Sequence, residues 1–494
     1  MSTGLPLRDL VGEVAVPAAA GAIVVRGLSL DSRSVRAGDA FFALRGTRAH
    51  GIRFAPAAVA RGAVVVLAEA PADADADAAL GVPVVWIERL HRQVGPIAAR
   101  FHGEPSQTLR ISGVTGTNGK TSTVQLLARA LDRLGRRTAT IGTLGAGLPE
   151  TFRAGERTTP DAVALQGLFA EFRDDGASDV AMEVSSHALE QGRVDGTRFV
   201  LAIFTNLSRD HLDYHGTMDA YGAAKQRLFA WPGLCCAVVN RDDAFGRRLL
   251  ATIPAGVRAI GYAIDDGAAE VRASDIVTDA DGLRFRLHLP DGERALRSRL
   301  LGRFNVANLL AVAAGLHALG HACADIVDAL AALEPVAGRM SRLGGGPGQP
   351  LVVVDYAHTP DALEQALSSL RAHCAGRLSC VFGCGGERDA GKRPQMAAIA
   401  ERGADRVIVT DDNPRGEDGD AIVRDILAGF RDAGAVHVER DRARAIARAI
   451  AGAGAGDVVL VAGKGHEPYQ EIAGVRHAFD DLVVARALLE ARPC

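Results

Sequence analysis

A glycine-rich stretch at residues 113–123, Gly-Val-Thr-Gly-Thr-Asn-Gly-Lys-Thr-Ser-Thr, places the strongest constraint on how this chain folds. It follows an extended segment at 109–111 and precedes apolar residues at helical spacing, which predicts a strand, a tight turn and a helix in that order. Glycines let such a turn aim successive N–H groups at one anion, Lys120 can reach the β- and γ-phosphates, and the Thr121 hydroxyl can bind Mg²⁺. The stretch therefore indicates binding of ATP or GTP.

The loop departs from the usual spacing G-x-x-x-x-G-K-[ST]. That spacing expects glycine where this chain has Val114, and the glycines stand instead at positions 113 and 116. A chance glycine-rich turn is the alternative interpretation. The helical spacing of Val124, Leu127 and Leu131, and the helix end expected at Gly135, favour a variant phosphate loop.

Length and composition limit the class of protein. A chain of 494 residues with 48% apolar residues is long enough for about three globular domains. A net charge of −3 without a Lys/Arg run argues against nucleic-acid binding. The sequence contains neither an export signal nor an uncharged apolar run long enough for a membrane span, so we expect a cytoplasmic protein.

The seven cysteines do not form a metal-binding pattern. Cys380 and Cys384 are close in sequence, but no second pair is present to complete a zinc site. We expect buried or free thiols in a reducing compartment.

Strand-like segments divide the chain into three regions. Residues 1–107 contain short runs at 63–67 and 82–87. Apolar strands at 179–182, 199–204 and 237–239 alternate with helical stretches in 108–340, as in a parallel sheet covered on both faces. In 341–494, strands at 351–354, 379–382, 406–409 and 458–461 are each followed by polar residues. Because ligands bind at the carboxyl ends of parallel strands, these turns predict one shared site.

Several polar residues of the central region have both an ordinary and a functional interpretation. Glu183 closes a strand, and its carboxylate is well suited to join Thr121 around Mg²⁺, which prefers oxygen ligands. Taken alone, His211 is expected to be an ordinary histidine at the start of a helix. From its spacing alone, Lys225 is expected to be an exposed lysine on a helix. Asn305 is a helix cap or, alternatively, an adenine contact.

Seven segments occur in the order of the motif series of the Mur ligase family, which the chain resembles over nearly its full length: residues 113–123, 183–187, 206–213, 225, 302–308, 338–339 and 355–359. The resemblance implies an α/β protein of three domains. These are an N-terminal uridine-nucleotide-binding domain at 1–107, a central P-loop ATPase-like domain with a parallel sheet at 108–340, and a C-terminal Rossmann-like amino-acid-binding domain at 341–494.

The resemblance also implies a reaction. Family members phosphorylate a carboxylate with ATP, and an amine then attacks the acyl phosphate, releasing ADP and phosphate. Lys120, Glu183, His211 and Lys225 are the implied catalytic residues, with Lys120 stabilising the charge on the transferred phosphoryl group. Two Mg²⁺ ions would be held by Thr121, Glu183, His211 and Lys225. Lys225 aligns with the family lysine that reacts with CO₂ to form a carbamate, which supplies oxygen to a metal.

The binding residues implied by the resemblance fall into two nucleotide groups. The group for ATP is Gly116, Thr117, Asn118, Gly119, Lys120, Thr121, Ser122, Asn305, Asn308, Arg339, Asp355 and His358. The group for a UDP-linked muramoyl dipeptide has two parts. Leu30, Ser32, Thr47, Arg48 and Ala49 would bind the uridine, and the muramoyl-dipeptide portion would be bound by Thr158, Thr159, Ser185, Gln191 and Arg193. Many family members have Asn before the Thr-Thr pair, where this chain has Arg157.

A third group implied by the resemblance would bind the incoming amino acid: Arg388, Asp412, Asn413, Pro414, Arg415, Gly463 and Glu467. Meso-diaminopimelate differs from lysine by a carboxylate beside the distal amine, and the planar fork of an arginine binds a carboxylate with two hydrogen bonds. Lysine-adding relatives lack an arginine at the position of Arg415. We therefore expect addition of meso-diaminopimelate to the D-glutamate of UDP-N-acetylmuramoyl-L-alanyl-D-glutamate, with Glu467 pairing with the distal ammonium. A surface salt bridge is the alternative interpretation of Arg415.

Two other functions are compatible with parts of the sequence. Folylpolyglutamate synthase shares the phosphate loop and the motif around His358, but it lacks a uridine-binding domain, and residues 30–33 and Arg415 argue against it. A nucleotide-gated binding protein without catalysis would leave Glu183, His211 and Lys225 without a function. We expect a monomeric enzyme whose partners are small-molecule substrates and that binds neither nucleic acid nor membrane.

Overall fold

The computed structural model describes residues 4–46, 49–71, 80–155, 157–279, 282–346 and 348–491. The chain divides into two compact units, Met1–Gly261 with Ala314–Gly320 and Tyr262–Ala313 with His321–Cys494. Both units are mixed α/β structures built around parallel strands. Within the described residues, no helix is long and apolar enough to cross a membrane.

The N-terminal part of the first unit consists of short strands and helices: β1 Leu5–Pro6, α1 Leu7–Val11, α2 Ala18–Gly21, β2 Val24–Val25, β3 Gly27–Ser29, β4 Asp39–Ala43, α3 Ala55–Ala60, β5 Val65–Glu69, β6 Val84–Ile87 and α4 Leu90–Phe101. Strands β3, β4, β5 and β6 pair in that order as a parallel sheet. Every residue of β4 and β5 is buried, because both faces of the sheet are covered.

The rest of the first unit contains a larger sheet and its helices: β7 Arg110–Thr115, α5 Lys120–Arg133, β8 Thr138–Gly142, β9 Gly145–Gly147, α6 Ala162–Asp174, β10 Asp179–Glu183, α7 Ser186–Glu190, β11 Phe199–Phe204, α8 Leu212–His215, α9 Met218–Gln226, β12 Cys236–Asn240, α10 Ala244–Leu250 and β13 Arg258–Ala263. Strands β12, β11, β7, β10 and β8 are adjacent and parallel. The predicted strands at 179–182, 199–204 and 237–239 are confirmed as β10, β11 and β12. Because β7 lies between β10 and β11, the segments that follow these three strands meet at one edge.

The second unit continues the chain order: β14 Val271–Asp279, β15 Gly282–Leu289, β16 Gly292–Ser298, α11 Arg303–Ala318, α12 Cys323–Ala331, β17 Ser341–Gly344, β18 Leu351–Asp355, α13 Pro360–Arg371, β19 Leu378–Phe382, α14 Lys392–Gly403, β20 Arg406–Val409, α15 Gly419–Leu427, β21 His437–Val438, α16 Arg442–Ala451, β22 Val458–Ala462, β23 Tyr469–Ile472, β24 Val475–Ala478 and α17 Asp481–Glu490. The last residues of α11 belong to the first unit.

Strands β14, β15 and β16 pair antiparallel, whereas the sequence predicted only parallel strands for 108–340. Along β15 the buried residues Leu283, Phe285 and Leu287 alternate with the exposed Arg284 and Arg286. This period of two is typical of an antiparallel strand with one face in water. The prediction overlooked it because it relied on uninterrupted apolar runs.

The C-terminal sheet has the strand order β17-β18-β22-β19-β20-β21. Its strands β18, β22, β19 and β20 are parallel to one another, while β17 pairs antiparallel with β18. The carboxyl ends of these four strands therefore lie side by side, which confirms the predicted convergence of the polar turns. Cys380 and Cys384 are buried free thiols, as expected.

A buried ion pair joins the last two helices of this unit. The guanidinium of Arg442 in α16 donates to the Asp481 carboxylate at the start of α17 through Nε at 2.7 Å and Nη2 at 2.8 Å. Both side chains are fully buried. Arg442 also donates to the carbonyl of Ala462 at the end of β22, at 3.0 Å. The pair therefore fixes both helices to the strand whose end carries residues 463–467.

We expect Asp481→Ala to lower the free energy of unfolding by about 3–5 kcal/mol, because it leaves the Arg442 charge buried without its partner. Asp265→Ala is the matched control, since Asp265 pairs with Arg303 on the exposed surface of the same unit. The control should cost less than about 1 kcal/mol. Urea unfolding measures the free energy of unfolding of both variants. An equal decrease in the two variants would contradict the role of the buried pair.

Candidate active site

The phosphate loop connects the end of β7 with the start of α5. Val114, the departure from the usual motif, lies within β7 and is completely buried, so the loop itself begins only at Gly116. Gly119 has a φ of +83°, a left-handed conformation that favours glycine. A Cβ atom on Gly116 would lie 1.9 Å from Oγ1 of Thr205, so this position has no room for a side chain.

The segment after β11 holds the loop in shape. The backbone N–H of Thr117 donates to the carbonyl of Asn206 at 2.8 Å, and the N–H of Asn118 donates to the Asn206 side-chain oxygen at 2.9 Å. The Thr205 hydroxyl donates to the Asn118 carbonyl at 2.6 Å. The predicted motif segment 206–213 thus contacts the phosphate loop through Asn206.

Two lysine amines donate to one carbonyl oxygen of this loop. Lys120 Nζ lies 2.9 Å from the Gly116 oxygen and 2.8 Å from that of Thr117, and Lys225 Nζ lies 2.8 Å from the Gly116 oxygen. The exposed position expected for Lys225 from spacing alone is wrong, since Lys225 is only 1% exposed. It lies on the buried face of α9, with its amine 4.3 Å from the centre of the Tyr221 ring.

Lys225 is held in an environment that disfavours its charge. Burial lowers its pKa well below the ordinary lysine value, and the neighbouring Lys120 charge acts in the same direction against a smaller opposing effect of Asp210. A neutral amine carries a free electron pair, so this lysine can act as a nucleophile. The sequence identified Lys225 only through the family resemblance.

Glu183 and Thr121 are in direct contact. The Thr121 hydroxyl donates to Oε1 of the buried Glu183 at 2.9 Å. Thr143, just after β8, donates to the same oxygen through its backbone N–H at 2.8 Å and to Oε2 through its hydroxyl at 3.3 Å. Sequence reasoning missed Thr143, although its place at a strand end of the same sheet was an available signal.

These side chains suit a hard cation better than a transition metal. In the part of the chain that the structure describes, there is no cluster of three His, Cys, Asp or Glu side chains that could hold a metal ion. Thr121 and Glu183 offer hydroxyl and carboxylate oxygens, the ligands that Mg²⁺ prefers. The donor set therefore fits Mg²⁺ bound together with phosphate oxygens.

His211 directly precedes helix α8, and its ring belongs to a group of aromatic rings. Its ring centre lies 4.9 Å from that of His187 and 5.9 Å from that of Tyr221. Burial lowers the pKa of His211, as does the charge of Lys120, while Asp210 opposes them. A neutral imidazole, the form able to bind a metal, is thereby favoured. His187 was part of a predicted motif, but nothing in the sequence places its ring beside that of His211.

The five residues assigned to the muramoyl-dipeptide form a connected network. Thr159 donates to the Glu183 carbonyl at 2.8 Å and accepts from the Ser185 N–H at 3.1 Å. Arg193 donates to the Thr159 carbonyl at 3.1 Å and to the Gln191 side chain at 2.9 Å. Thr158 Oγ1 lies 3.0 Å from the Thr143 hydroxyl, which connects the network to Glu183.

The residues assigned to uridine lie in the N-terminal part of the first unit. Leu30 and Ser32 follow β3 and are half-buried, as is Ala49. Thr47 and Arg48 lie outside the described residues.

The remaining ATP-assigned residues belong to the second unit. Asn305 and Asn308 are buried in α11, where the Asn305 amide donates to the Leu301 carbonyl at 2.7 Å and the Asn308 amide to Oδ1 of Asn305 at 2.9 Å. Asn305 therefore lies within the helix, and the interpretation as a helix cap is wrong.

Arg339, Asp355 and His358 meet around Tyr356. The Arg339 guanidinium lies 4.8 Å from the centre of the Tyr356 ring, and His358 Nδ1 is 2.8 Å from the Tyr356 carbonyl oxygen. Asp355 accepts a hydrogen bond from the Met340 N–H at 2.8 Å. Tyr356 was not among the predicted site residues.

The predicted amino-acid residues meet at the carboxyl edge of the C-terminal sheet. The Asn413 amide donates to Glu467 at 2.8 Å. Arg415 has a φ of +54°, uncommon for a residue with a side chain, and its Nη1 donates to the Gly386 carbonyl at 2.8 Å. The salt bridge considered for Arg415 is present only as a loose contact, since Arg415 Nε lies 4.0 Å from Oε2 of Glu471 and both side chains are mostly buried.

Glycines set the spacing of this edge. A Cβ on Gly463, whose φ is +117°, would lie 2.4 Å from the carboxylate of the buried Asp412. A Cβ on Gly385 would lie 2.9 Å from Nη1 of Arg415 and 3.8 Å from Cγ of Arg388, so both arginines border Gly385. Pro414 lies between Asn413 and Arg415 and is buried.

Three family matches cover most of the chain. Residues 24–102 match the Mur ligase family catalytic domain, residues 114–316 the Mur ligase middle domain, and residues 338–465 the Mur ligase glutamate ligase domain. The chain belongs to the Mur ligase family. The predicted α/β fold with N-terminal, central and C-terminal Mur ligase domains is confirmed.

Named relatives make the match more specific. The UDP-N-acetylmuramoyl-L-alanyl-D-glutamate–2,6-diaminopimelate ligase of Xanthomonas campestris is 59% identical, covering 100% of this chain and 99% of its own. The enzyme of the same name from Pseudomonas aeruginosa is 52% identical over 96% of this chain and 97% of its own. A solved structure of a ligase with this name has a TM-score of 0.74 and 38% identity, covering 99% of both chains.

The fold alone does not distinguish the Mur ligases from other amide ligases. Folylpolyglutamate synthase of Mycobacterium tuberculosis matches with a TM-score of 0.63 at only 18% identity, covering 81% of this chain and 96% of its own. The substrate of this Mur ligase must therefore be argued from its side chains.

We expect Gly116→Ala to weaken ATP binding by this Mur ligase at least about tenfold, because the added Cβ would displace Thr205 and distort the loop. Gly135→Ala is the matched control: Gly135 also has a positive φ, but no heavy atom lies within 4 Å of its added Cβ. Titration calorimetry with ATP and Mg²⁺ measures both. Unchanged affinity in the Gly116 variant would contradict the role of the loop.

Proposed function

We propose that this chain is the ATP-dependent, ADP-forming ligase that adds meso-diaminopimelate to the D-glutamate of UDP-N-acetylmuramoyl-L-alanyl-D-glutamate, in the synthesis of peptidoglycan precursors. The names of its full-length relatives support the reaction. The structural observation that carries the proposal is the joint placement of Asn413, Arg415 and Glu467 at the ends of parallel strands. Arg415 offers a fork for a carboxylate, and Glu467 offers a partner for an ammonium.

The first half of the proposed reaction transfers the γ-phosphoryl group of ATP to the D-glutamate carboxylate. Residues 116–122 would bind the phosphates, and Lys120 would stabilise the negative charge of the transferred group. Thr121, Glu183, His211 and Lys225 would hold two Mg²⁺ ions. When bound, Mg²⁺ supplies positive charge that draws the phosphate and carboxylate oxygens together.

Lys225 is proposed to carry a carbamate. Its neutral amine would attack CO₂, forming an N–C bond and releasing one proton, and a negatively charged group with two oxygens would result. The lowered pKa of Lys225 supports this step, because only the unprotonated amine reacts. The carbamate would also place a negative charge beside the positive charge of Lys120, and the two would attract each other.

We expect Lys225→Ala to slow ADP formation more than about a hundredfold, the scale of losing one preorganised charged group. Formate or acetate should restore part of the rate, because a small carboxylate can occupy the position of the carbamate. Lys225→Arg is the control and should not be restored, since its side chain fills the space. A Lys225→Ala enzyme that works at the normal rate would disprove the carbamate role.

The second half of the proposed reaction is the attack of the diaminopimelate amine on the acyl phosphate. Arg415 would bind the distal carboxylate, which lysine does not have, and Glu467 would bind the distal ammonium. Arg388, Asp412, Asn413, Pro414 and Gly463 would complete the site. The position of Arg388 beside Gly385 and Arg415 supports its inclusion.

We expect Arg415→Met to raise the KM for meso-diaminopimelate by a factor corresponding to roughly 2–5 kcal/mol, because the carboxylate loses its charged partner. Arg424→Met is the control, since Arg424 is exposed in the same unit and pairs only loosely with Asp418, at 3.8 Å. Steady-state rates at varied diaminopimelate give both values. An unchanged KM in the Arg415 variant would refute the assignment.

The most direct test of the proposed reaction is the mass of the product. The enzyme is supplied with ATP, the UDP-linked dipeptide and equal meso-diaminopimelate and L-lysine, and we expect a product carrying diaminopimelate. A product carrying lysine would overturn the assignment of the amino acid. Glutamate addition to a folate in a parallel reaction would overturn the choice of the muramoyl substrate.

The wider setting of the enzyme is also a proposal. We infer domain boundaries at 1–107, 108–340 and 341–494, which the extents of the three family matches support. We further infer a monomer in the cytoplasm that binds small-molecule substrates and no nucleic acid. The net charge of −3 and the free thiols support this setting.

A further inference from the structure

Lysine is rare in this chain. Only Lys120, Lys225, Lys392 and Lys464 are lysines among its 56 basic residues, and all the others are arginines. Arginine can replace lysine where a permanent positive charge is enough, but it cannot replace a compact amine in a confined space. Two of the four lysines lie at the phosphate loop. We therefore ask what Lys392 and Lys464, the other two, do that an arginine at the same position could not.

Lys392 and Lys464 differ in this respect. Lys392 is half-buried and donates to the His358 carbonyl at 2.7 Å, a contact that an arginine could also make. Lys464 has a completely buried side chain. It lies between Gly463 and Gly465, with φ values of +117° and +56°, in a turn where added Cβ atoms would clash on both sides.

The Lys464 amine closes a small hydrogen-bonded ring. Its Nζ donates to Oδ1 of Asn413 at 3.0 Å and to Oε2 of Glu467 at 3.1 Å, and the Asn413 amide donates to the same Glu467 oxygen at 2.8 Å. A guanidinium has five N–H donors, compared with three on an ammonium. An arginine here would bury donors without acceptors, which is costly.

This hydrogen-bonded ring determines the orientation of the Glu467 carboxylate. Both hydrogen bonds end on Oε2, and within the described part of the chain Oε1 accepts none. The Glu467 side chain is 18% exposed, so its carboxylate borders solvent while Lys464 behind it does not. Asn413 is fixed in turn, because its Oδ1 also accepts from the Glu471 N–H at 2.9 Å.

We propose that Lys464 is a positioning residue of the amino-acid site: it holds Asn413 and Glu467 so that Oε1 of Glu467 meets the distal ammonium of the incoming diamino acid. Lys464 itself does not contact that substrate. The proposal rests on the assignment of Glu467 to the distal ammonium under the proposed function, and it adds a residue that acts only through Glu467.

The test compares two substrates in Lys464→Met. Meso-diaminopimelate carries the distal ammonium, whereas 2-aminopimelate has both carboxylates but no distal amine. We expect the variant to raise the KM for diaminopimelate about tenfold or more, the scale of losing a charged hydrogen bond. The KM values for 2-aminopimelate, ATP and the UDP-linked dipeptide should stay within about twofold of those of the unchanged enzyme.

A merely structural role would affect both amino acids alike. Equal rises in KM for diaminopimelate and 2-aminopimelate, or no rise for either, would therefore overturn the proposal. Lys464→Arg should not restore the diaminopimelate KM, and full restoration would also overturn it. Arg444→Met, an exposed cation on α16, is the control and should leave every KM unchanged.

A second variant covers the case in which Lys464→Met does not fold. Lys464→Gln keeps polar donors in the ring but removes the charge, and it should show the same selective loss for diaminopimelate. If neither variant raises the KM for diaminopimelate selectively, the positioning role is wrong. If the unchanged enzyme formed no product with diaminopimelate, the proposed function itself would be wrong. That result differs from an active enzyme in which the Lys464 variants show no selective effect, which would contradict only the positioning role.

Discussion

The two lysine amines that share the Gly116 carbonyl oxygen are the interaction on which the phosphate loop depends. Both lie within 2.9 Å of that oxygen, and two full charges so close together in a buried site would repel each other strongly. Burial lowers the pKa of Lys225 well below the ordinary lysine value, which favours the uncharged amine and so relieves this repulsion. Lys120 would then remain charged beside the phosphates of the proposed ATP, and Lys225 would be the amine available for the proposed reaction.

Parallel strands explain how residues far apart in sequence come together in each unit. In the first unit, β7, β10 and β11 are neighbours, so the phosphate loop, Glu183 and residues 205–213 meet at one edge. In the second unit, the ends of β19, β20 and β22 bring Arg388, Arg415 and Glu467 to one edge. The same topological rule therefore creates a cluster of candidate site residues in each unit, the first proposed for a nucleotide and the second for an amino acid.

The sequence was sufficient for the features that depend on local pattern. It predicted the strand, loop and helix around Gly116 and the convergence of the C-terminal turns. It did not predict the burial of Lys225, because spacing cannot tell which face of a short helix will be covered. The contact of Thr143 with Glu183 and the ring of His187 beside His211 also went unseen, since both depend on how separate segments pack.

The choice between arginine and lysine follows the physical demand at each position. Arg415 needs a permanent, planar charge for the proposed binding of a carboxylate, and its Nη1 donates to the Gly386 carbonyl and not to an acidic side chain. Lys464 faces the opposite demand, because its buried turn has acceptors for only a compact ammonium. The carbamate proposed for Lys225 needs an amine that can lose its proton, which a guanidinium cannot do. Nearly all the other basic residues of this chain are arginines. At Lys464 the shape of the side chain matters, and at Lys225 its ability to lose a proton, and in neither position is a positive charge alone enough.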